Sequence, residues 1–226
     1  MDTGDGSHTL LNVALNETYH SRHGALRESQ HVFLKEGLAY WLEKHPKAQD
    51  LSIFEMGMGT ALNLILTLQA AQQLPQIKFS YTTLEAFPLS NLVIKQLNYT
   101  ALLQDVSLKV LFEKVHEASW DEWHTILPNF QLKKVQQKLE EYHIENASVD
   151  LIYYDAFAPN KQAELWTLEA IGRVCSMLKS EGVFVTYSAK GQLKRDLKFL
   201  GLSVETLQGP PGKVEMVRAS MMEMNE

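Results

Sequence analysis

Short apolar runs alternate with longer mixed segments through the second two-thirds of the chain. The runs, which include β-branched and aromatic residues, predict strands at 51–54, 77–84, 149–154 and 182–187. The longer segments between and after them predict helices at 60–74, 88–97, 165–178 and 190–200. Strands that alternate with helices of this length form βαβ units, so we expect an α/β fold with a mostly parallel sheet.

Two further stretches complete this pattern. Residues 203–207 and 214–218 flank a Gly-Pro-Pro-Gly turn at 209–212, which predicts a closing antiparallel hairpin. The mixed stretch 130–142 fits either a strand or a helix.

The N-terminal segment lies outside the alternation. Asp5-Gly6 is a strong turn signal that predicts a small hairpin, and residues 28–43 follow as a helix. The candidate buried positions of this helix are Val32, Leu38 and Trp41. We therefore divide the chain into an N-terminal hairpin and helix that cover the ligand cleft, residues 1–45, and a main domain, residues 46–226.

Composition narrows the class of protein. The chain has 226 residues, 45% of them apolar, and can bury one sizeable core. The single cysteine, Cys175, excludes an internal disulfide and a multi-cysteine metal site, and its apolar helix predicts a core position. The sequence shows no long uncharged apolar run and no signal-peptide pattern, so we expect a cytoplasmic protein with no membrane partner.

The net charge of −6 argues against a generally basic nucleic-acid binder. Local basic clusters nevertheless decide where phosphates bind, and an ordinary solvated face is the alternative for each. The clusters are Arg22/His23/Arg27, Lys133/Lys134/Lys138 and Lys190/Lys194/Arg195/Lys198.

A glycine pair follows the first strand of the alternation, in the segment 55–60 (Glu-Met-Gly-Met-Gly-Thr). Glycines allow the sharp turn and the close backbone approach that a ligand needs beside a helix N-terminus. A dinucleotide fingerprint requires a third glycine where this chain has Leu62. Its absence, together with the acid Glu55, fits S-adenosylmethionine better than a pyrophosphate, because the ammonium of S-adenosylmethionine attracts a carboxylate. A tight turn without a ligand is the alternative.

Two further carboxylates follow predicted strands. Glu85 ends the next strand, where an acid can accept hydrogen bonds from both hydroxyls of a ribose; a surface acid is the alternative. Asp155 ends the strand 149–154, with Phe157 and Pro159 forming an apolar wall beside it. A turn-forming aspartate is the alternative there.

The segment 18–29 is dense in hydroxyl, imidazole and guanidinium groups, which is unusual for a structural turn. A metal site at His20 and His23 lacks a carboxylate or thiol partner at ligand spacing, so we expect no metal.

Three ordered motifs make the sequence similar to a known family. The motifs are Tyr19-His20-Ser21, Gly24-Ala25, Glu28-Ser29 and Val32-Phe33; Glu55, Gly57, Gly59-Thr60 and Asn63; and Asp155, Phe157-Ala158-Pro159 and Leu165-Trp166. Together they resemble the MnmD/MnmC family of tRNA 5-aminomethyl-2-thiouridine methyltransferases, over almost the whole chain from 5 to 218.

This resemblance implies a Rossmann-like class I methyltransferase fold with S-adenosylmethionine as cofactor. It implies methylation of the aminomethyl nitrogen of a tRNA wobble uridine. The similarity is to the stand-alone form, without the flavin oxidase domain of the fused members. The implied partner is the tRNA anticodon loop, bound through local basic patches, and a separate upstream oxidase is compatible with this form.

The resemblance also implies roles for individual residues. The catalytic residue is Asp155, acting as a base or orienting the amine. The cofactor-binding residues are Glu55, Gly57, Gly59, Thr60, Asn63, Glu85, Ser21 and Gly24. The substrate-binding residues are Tyr19, Arg22, Phe157 and Pro159. Relatives often carry Gly-Asp facing the adenine amino group, where this chain has Gln136-Gln137.

Two rival functions remain open at this point. One is a nicotinamide- or flavin-dependent oxidoreductase acting on a C–N bond on the same scaffold, against which the missing third glycine argues. The other is a non-catalytic RNA-binding protein, against which the intact glycine motif and Asp155 argue.

Overall fold

A computed structural model describes residues 1–222, and its centre is an eight-stranded sheet. The strands, numbered along the chain, are β1 (Leu11–Asn12), β2 (Glu17–Thr18), β3 (Asp50–Met56), β4 (Lys78–Leu84), β5 (Trp123–Leu127), β6 (Phe130–Val135), β7 (Val149–Tyr154), β8 (Leu178–Thr186), β9 (Leu202–Gln208) and β10 (Glu215–Met221). Strands β1 and β2 form a separate antiparallel pair. The large sheet has the order β5-β6-β4-β3-β7-β8-β10-β9.

The sheet is mostly parallel. Strands β6, β4, β3, β7 and β8 run in one direction, and β5 and β10 run against their neighbours. The C-terminal pair β9–β10 is the antiparallel hairpin that the sequence predicts. The predicted α/β class is therefore confirmed.

Helices cover both faces of the sheet. The first is continuous, α-helical over Ala25–Ser29 and Tyr40–Lys44 and π-helical over Gln30–Ala39 between them, and is called α1. The others are α2 (Leu62–Gln72), α3 (Asn91–Ile94), α4 (Tyr99–Leu102), α5 (Val106–Glu117), α6 (Leu168–Cys175) and α7 (Gly191–Phe199), with a 3-10 turn at Ala163–Trp166 before α6. None of the helices within residues 1–222 is long and apolar enough to cross a membrane.

The strands divide their side chains between two apolar clusters because successive residues of a strand point to opposite faces. On β3, Ile53 packs in the cluster formed with α1, α2 and α5, whereas Phe54 packs in the cluster formed with α6 and α7. Cys175 lies in the second cluster, in the core as predicted, and burial raises the pKa of its thiol to about 12.

Several predicted elements have different bounds in the structure. The helix expected at 60–74 begins only at Leu62, because Ala61 has a left-handed φ of 62° in the turn before it. The stretch that fitted a strand or a helix contains the strand β6. The prediction of one helix at 88–97 is wrong, since this region holds only the single turn α3, which has no buried residue. Helix α5 and strand β5 were not predicted.

The hairpin and the helix predicted for the N-terminal segment are both present in the structure. Asp2 and His8 form an antiparallel bridge around the Asp5-Gly6 turn, and Gly6 has a φ of 80°. The buried positions expected on α1 are all in the core. Helix α1 packs on β7 and β8 through Gly37, where a Cβ would lie 3.0 Å from Val185 Cγ2. The division of the chain near residue 45 stays a prediction.

We expect Gly37→Val to lower the free energy of unfolding by about 1–3 kcal/mol, the usual cost of overpacking a close contact. Besides Val185, the added side chain would meet Tyr153 Cε1, 3.2 Å from the first added carbon. Urea denaturation measures the effect. The matched control is Lys35→Val on the same helix, whose side chain is 69% exposed. Equal losses of stability in the two variants would contradict tight packing of α1 on the sheet.

Candidate active site

The site lies where the strand order of the sheet changes direction. After β3 the chain adds β4 on one side of it, and later β7 on the other. Ligands of open α/β sheets bind in the crevice at the carboxyl ends of the strands flanking such a point. A cavity of about 700 Å³ lies here, and the ends of β3, β4 and β7 all contribute to its lining.

The glycine turn after β3 is fixed by close backbone contacts. Gly57 has a φ of 89°, and a Cβ there would lie 2.7 Å from the backbone oxygen of Asp155. Gly59 has a φ of 50°, and a Cβ there would lie 3.1 Å from the Tyr19 ring. The turn therefore requires glycine at both positions, and it leads into α2 beside the cavity.

The carboxylate of Glu85 is held in the cavity wall by two backbone groups. It accepts a hydrogen bond from Gly59 N–H at 3.0 Å and another from Phe87 N–H at 2.8 Å. These contacts tie the end of β4 to the glycine turn. The carboxylate still has acceptor capacity for ligand hydroxyls, because each of its oxygens can accept more than one hydrogen bond.

Asn63, in the first turn of α2, connects a fully buried carboxyl group with a half-buried one. Its Nδ2 donates to Asp155 Oδ2 at 2.8 Å and to Glu55 Oε1 at 3.1 Å. Glu55 is fully buried behind Asn63, accepts a further hydrogen bond from Thr83 Oγ1 at 2.8 Å, and does not line the cavity. Asp155 does line it. Glu55 thus contacts the site through Asn63.

Burial raises the pKa of both carboxyl groups. Burial raises the pKa of Asp155 to about 7, with a further rise from the charge of Glu28, opposed by the hydrogen bond from Asn63. Burial likewise raises the pKa of Glu55 to about 8, with the hydrogen bond from Thr83 opposing it and the charge of Asp155 adding to it. Asp155 is therefore able to gain or lose a proton near neutral pH.

A second group of charges lies in the cavity wall and joins distant parts of the chain. Glu28 Oε2 accepts a hydrogen bond from Ser21 N–H at 2.7 Å, and Glu28 Oε1 forms an ion pair with Lys213 Nζ. Lys213 Nζ also lies 3.7 Å from the ring centroid of Tyr187. Glu28, Tyr187 and Lys213 are called the ammonium cluster below. Sequence reasoning missed Tyr187 and Lys213 as site residues, and only Glu28 stood in a recognised motif.

Aromatic residues form another part of the wall. Tyr19 and Phe157 meet edge to face, with ring centroids 5.0 Å apart, and both line the cavity. His20 also lines it, and burial lowers the pKa of its imidazole to about 4, so the ring is neutral. Thr60 accepts a hydrogen bond from Tyr99 Oη at 3.1 Å and lies near His20.

The structure brings most of the predicted site residues to one cavity. Those that line it are Tyr19, Ser21, Arg22, Gly57, Gly59, Thr60, Asn63, Glu85, Asp155 and Phe157. Gly24 and Pro159, like Glu55, do not line it. Gly24 has a φ of 147°, and a Cβ there would collide with the carboxylate of Asp5, so its observed constraint is packing on Asp5.

Two other expectations concern Gln136-Gln137 and metals. Both glutamines are exposed and lie outside the cavity lining. Among residues 1–222, no group of three or more His, Cys, Asp or Glu side chains is placed to hold a metal ion.

Comparison with known proteins agrees with this geometry. The model of a family described as S-adenosyl-L-methionine-dependent methyltransferase matches residues 78–222, which is more than half of the chain. The crystal structure of MNMC2 from Aquifex aeolicus superposes with a TM-score of 0.78 at 26% identity, covering 100% of this chain and 71% of that one.

Curated relatives extend the similarity to the N-terminal part. The tRNA 5-methylaminomethyl-2-thiouridine biosynthesis bifunctional protein MnmC of Burkholderia multivorans is 28% identical, covering 92% of this chain and 33% of the relative. The protein of the same name from Pseudoalteromonas atlantica is 27% identical, covering 92% and 32%. The chain thus spans about a third of the length of these relatives.

The family match decides between the functions left open by the sequence. It supports an enzyme that uses S-adenosylmethionine, and neither an oxidoreductase nor a non-catalytic RNA-binding protein. The mostly parallel central sheet has the arrangement expected of such an enzyme. The chain belongs to the S-adenosyl-L-methionine-dependent methyltransferase family, with the fold of a class I enzyme.

Proposed function

We propose that the protein methylates the aminomethyl nitrogen of 5-aminomethyl-2-thiouridine at the wobble position of tRNA. The observation that carries this proposal is Asp155, a carboxylate with a pKa of about 7 that lines the cavity next to the glycine turn. The names of the relatives, which describe the biosynthesis of a methylaminomethyl uridine in tRNA, supply the substrate class.

The residues around the glycine turn fit the cofactor. Gly57, Gly59 and Thr60 offer backbone to a ligand, and Glu85 offers carboxylate oxygens to its ribose hydroxyls. When bound, S-adenosylmethionine supplies an activated methyl group. Ser21 and Asn63 complete the proposed cofactor-binding set, and Glu55 acts on it through Asn63.

Asp155 is proposed to accept a proton from the acceptor amine or to orient that amine. An alkylammonium ion titrates at about 10, so the substrate nitrogen has to lose a proton before it can attack. The ionised Asp155 carboxylate can accept that proton or hold the amine with its lone pair directed at the methyl group. Asn63 fixes the orientation of the carboxylate through its hydrogen bond of 2.8 Å. Alignment of the reacting groups is the main contribution expected of such a site.

The aromatic wall fits a nucleobase. A wobble uridine lies in a single-stranded loop, so it can turn into a pocket at little cost. The rings of Tyr19 and Phe157 line the cavity and offer apolar surface to the base. Pro159 lies close in sequence to Phe157 and is kept in the proposal only as support for that loop.

The RNA surface is proposed to be local, because the net charge of the chain is −6. Arg22 and Arg27 are exposed, and Arg22 lines the cavity. Lys134 is not available for RNA, because it is 1% exposed and donates to the His116 carbonyl at 3.2 Å. A separate oxidase that supplies the aminomethyl substrate remains a prediction.

Replacing Glu85 by alanine should weaken S-adenosylmethionine binding by about tenfold or more, since hydrogen bonds to a charged group contribute about 1.5–3 kcal/mol. Isothermal titration calorimetry measures the affinity. Glu113→Ala, at an exposed position of α5, removes the same charge away from the cavity and should change nothing. Unchanged affinity in Glu85→Ala would remove Glu85 from the cofactor site.

Asp155→Ala should reduce the single-turnover rate of methyl transfer by about 100-fold or more, the scale of a positioned acid–base group. The wild-type rate should rise with pH through about 7, because only the ionised Asp155 is active, and Asp155→Asn should lose this inflection. Asp150→Asn, on the same strand, is the control: Asp150 accepts from Ser52 N–H at 2.8 Å, outside the cavity lining. Near wild-type transfer by Asp155→Ala would make Asp155 a turn residue only.

Charge reversal at Arg22 and Arg27 should weaken tRNA binding and make its salt dependence shallower, by about one unit of slope for each phosphate that is no longer neutralised. Cofactor affinity should stay the same. Electrophoretic mobility shifts at several salt concentrations measure both the affinity for tRNA and its slope. Lys138→Glu, an exposed lysine of another basic cluster, serves as the comparison. If all three reversals act equally, binding depends on net charge and not on a local patch.

A further inference from the structure

The ammonium cluster holds an alkylammonium group of the chain itself. Lys213 Nζ forms an ion pair with Glu28 Oε1 and lies 3.7 Å from the ring centroid of Tyr187. A carboxylate combined with an aromatic face is a common receptor for organic cations, because the face of the ring carries negative electrostatic potential. All three side chains line the cavity that contains Asp155.

Glu28 and Tyr187 are held in place by hydrogen bonds, whereas the side chain of Lys213 is less restrained. Ser21 N–H holds the Glu28 carboxylate, and Tyr187 Oη donates to the Ala156 carbonyl at 2.8 Å, which fixes the ring. Glu28 is buried, with a side chain only 8% exposed. Lys213, in contrast, extends from the turn between β9 and β10 and has a side chain 31% exposed.

The cluster also lies close to the residue proposed to act on the amine. The charges of both Glu28 and Lys213 act on Asp155, in opposite directions, and both act on His20. A cation bound at Glu28 is therefore within electrostatic reach of Asp155. The imidazole of His20, in the same wall, adds no competing positive charge because it is neutral.

We propose that Glu28 and Tyr187 form a seat for the acceptor ammonium, which Lys213 and the substrate occupy in turn. This inference rests on the proposed function only in taking the acceptor to be an amine. The exchange is inexpensive because one alkylammonium replaces another, so Glu28 is never left as an unpaired buried charge. A uridine without the aminomethyl group cannot displace Lys213, which makes Glu28 a specificity-determining residue.

The test uses two anticodon stem-loop RNAs, one with 5-aminomethyl-2-thiouridine and one with 2-thiouridine at the wobble position. Fluorescence anisotropy measures their affinities with saturating S-adenosylhomocysteine, so that binding is read without turnover. Wild type should prefer the aminomethyl RNA. Glu28→Gln keeps an acceptor for Ser21 N–H but loses the charge, and should reduce the preference by about tenfold.

Lys213→Met distinguishes a seat that the substrate shares with Lys213 from an ion pair with a purely structural role. If Lys213 competes with the substrate, its removal should raise the preference for aminomethyl RNA severalfold. If the ion pair only holds the hairpin turn against the N-terminal segment, Glu28→Gln and Lys213→Met should each weaken the binding of the two RNAs to the same extent. That result would overturn the inference. This variant also keeps the test decisive where Glu28→Gln folds poorly, as judged by thermal unfolding.

Lys179→Met is the matched control, since Lys179 pairs with Asp150 on β7 at 2.9 Å, lies outside the cavity lining, and its removal changes the charge equally. It should leave the preference between the RNAs unchanged. If Glu28→Gln prefers the aminomethyl RNA as strongly as wild type does, the proposal of an ammonium seat is wrong. Failure of the proposed function looks different: wild type would then not methylate the aminomethyl RNA at all.

Discussion

The site depends on one amide that joins a fully buried carboxyl group to a half-buried one in the cavity wall. Asn63 donates from the same nitrogen to Asp155 and to Glu55, which lie at the ends of adjacent parallel strands. Burial raises the pKa of each group, and the charge of Asp155 adds to the rise at Glu55, whereas the charge of Glu28 adds to the rise at Asp155. The amide donates a hydrogen bond to each carboxyl group, which opposes the rise in its pKa, and the bond to Asp155 fixes the direction of that side chain.

This arrangement also depends on close contacts of the backbone. Gly57 allows the turn after β3 to approach the backbone of Asp155, at a distance that a Cβ would prevent. The same turn is bonded to Glu85 at the end of β4. Three strand ends are thus fixed relative to one another, and α2 starts from that point with Asn63 in its first turn. The proposed cofactor residues are therefore held mainly by the sheet.

The sequence reveals those features that are local in the chain. A glycine pair after a strand, an acid after the next strand and an aspartate after a third are visible because each depends on a few neighbouring residues. The bounds of β7 agree with the predicted strand for the same reason. The early end of the helix expected at 88–97 was not visible, because helix formation depends on which face is buried, and α3 buries none.

Features that depend on long-range contacts could not be predicted. Glu55 looked like a ligand for the cofactor ammonium, yet its side chain points behind Asn63, and nothing local in the sequence distinguishes the two directions. Lys213 reaches Glu28 across 185 positions of the chain, so a basic residue in a surface hairpin gave no signal of a site. Gly24 was grouped with the cofactor residues, although its close contact is with Asp5.

The two halves of the cavity are consequently built by different physical means. The glycine turn, Glu85 and Asp155 belong to the strand ends, where ladder hydrogen bonds and a buried core restrict movement. The ammonium cluster joins the start of α1 to the turn between β9 and β10 by one ion pair and one ring face. Tyr187 directly follows β8 and donates to the Ala156 carbonyl, so Glu28 and Lys213 are the members of this cluster that lie away from the strand ends. The proposed cofactor residues are thus held mainly by the strand ends, whereas the proposed seat for the acceptor also depends on an ion pair between distant parts of the chain.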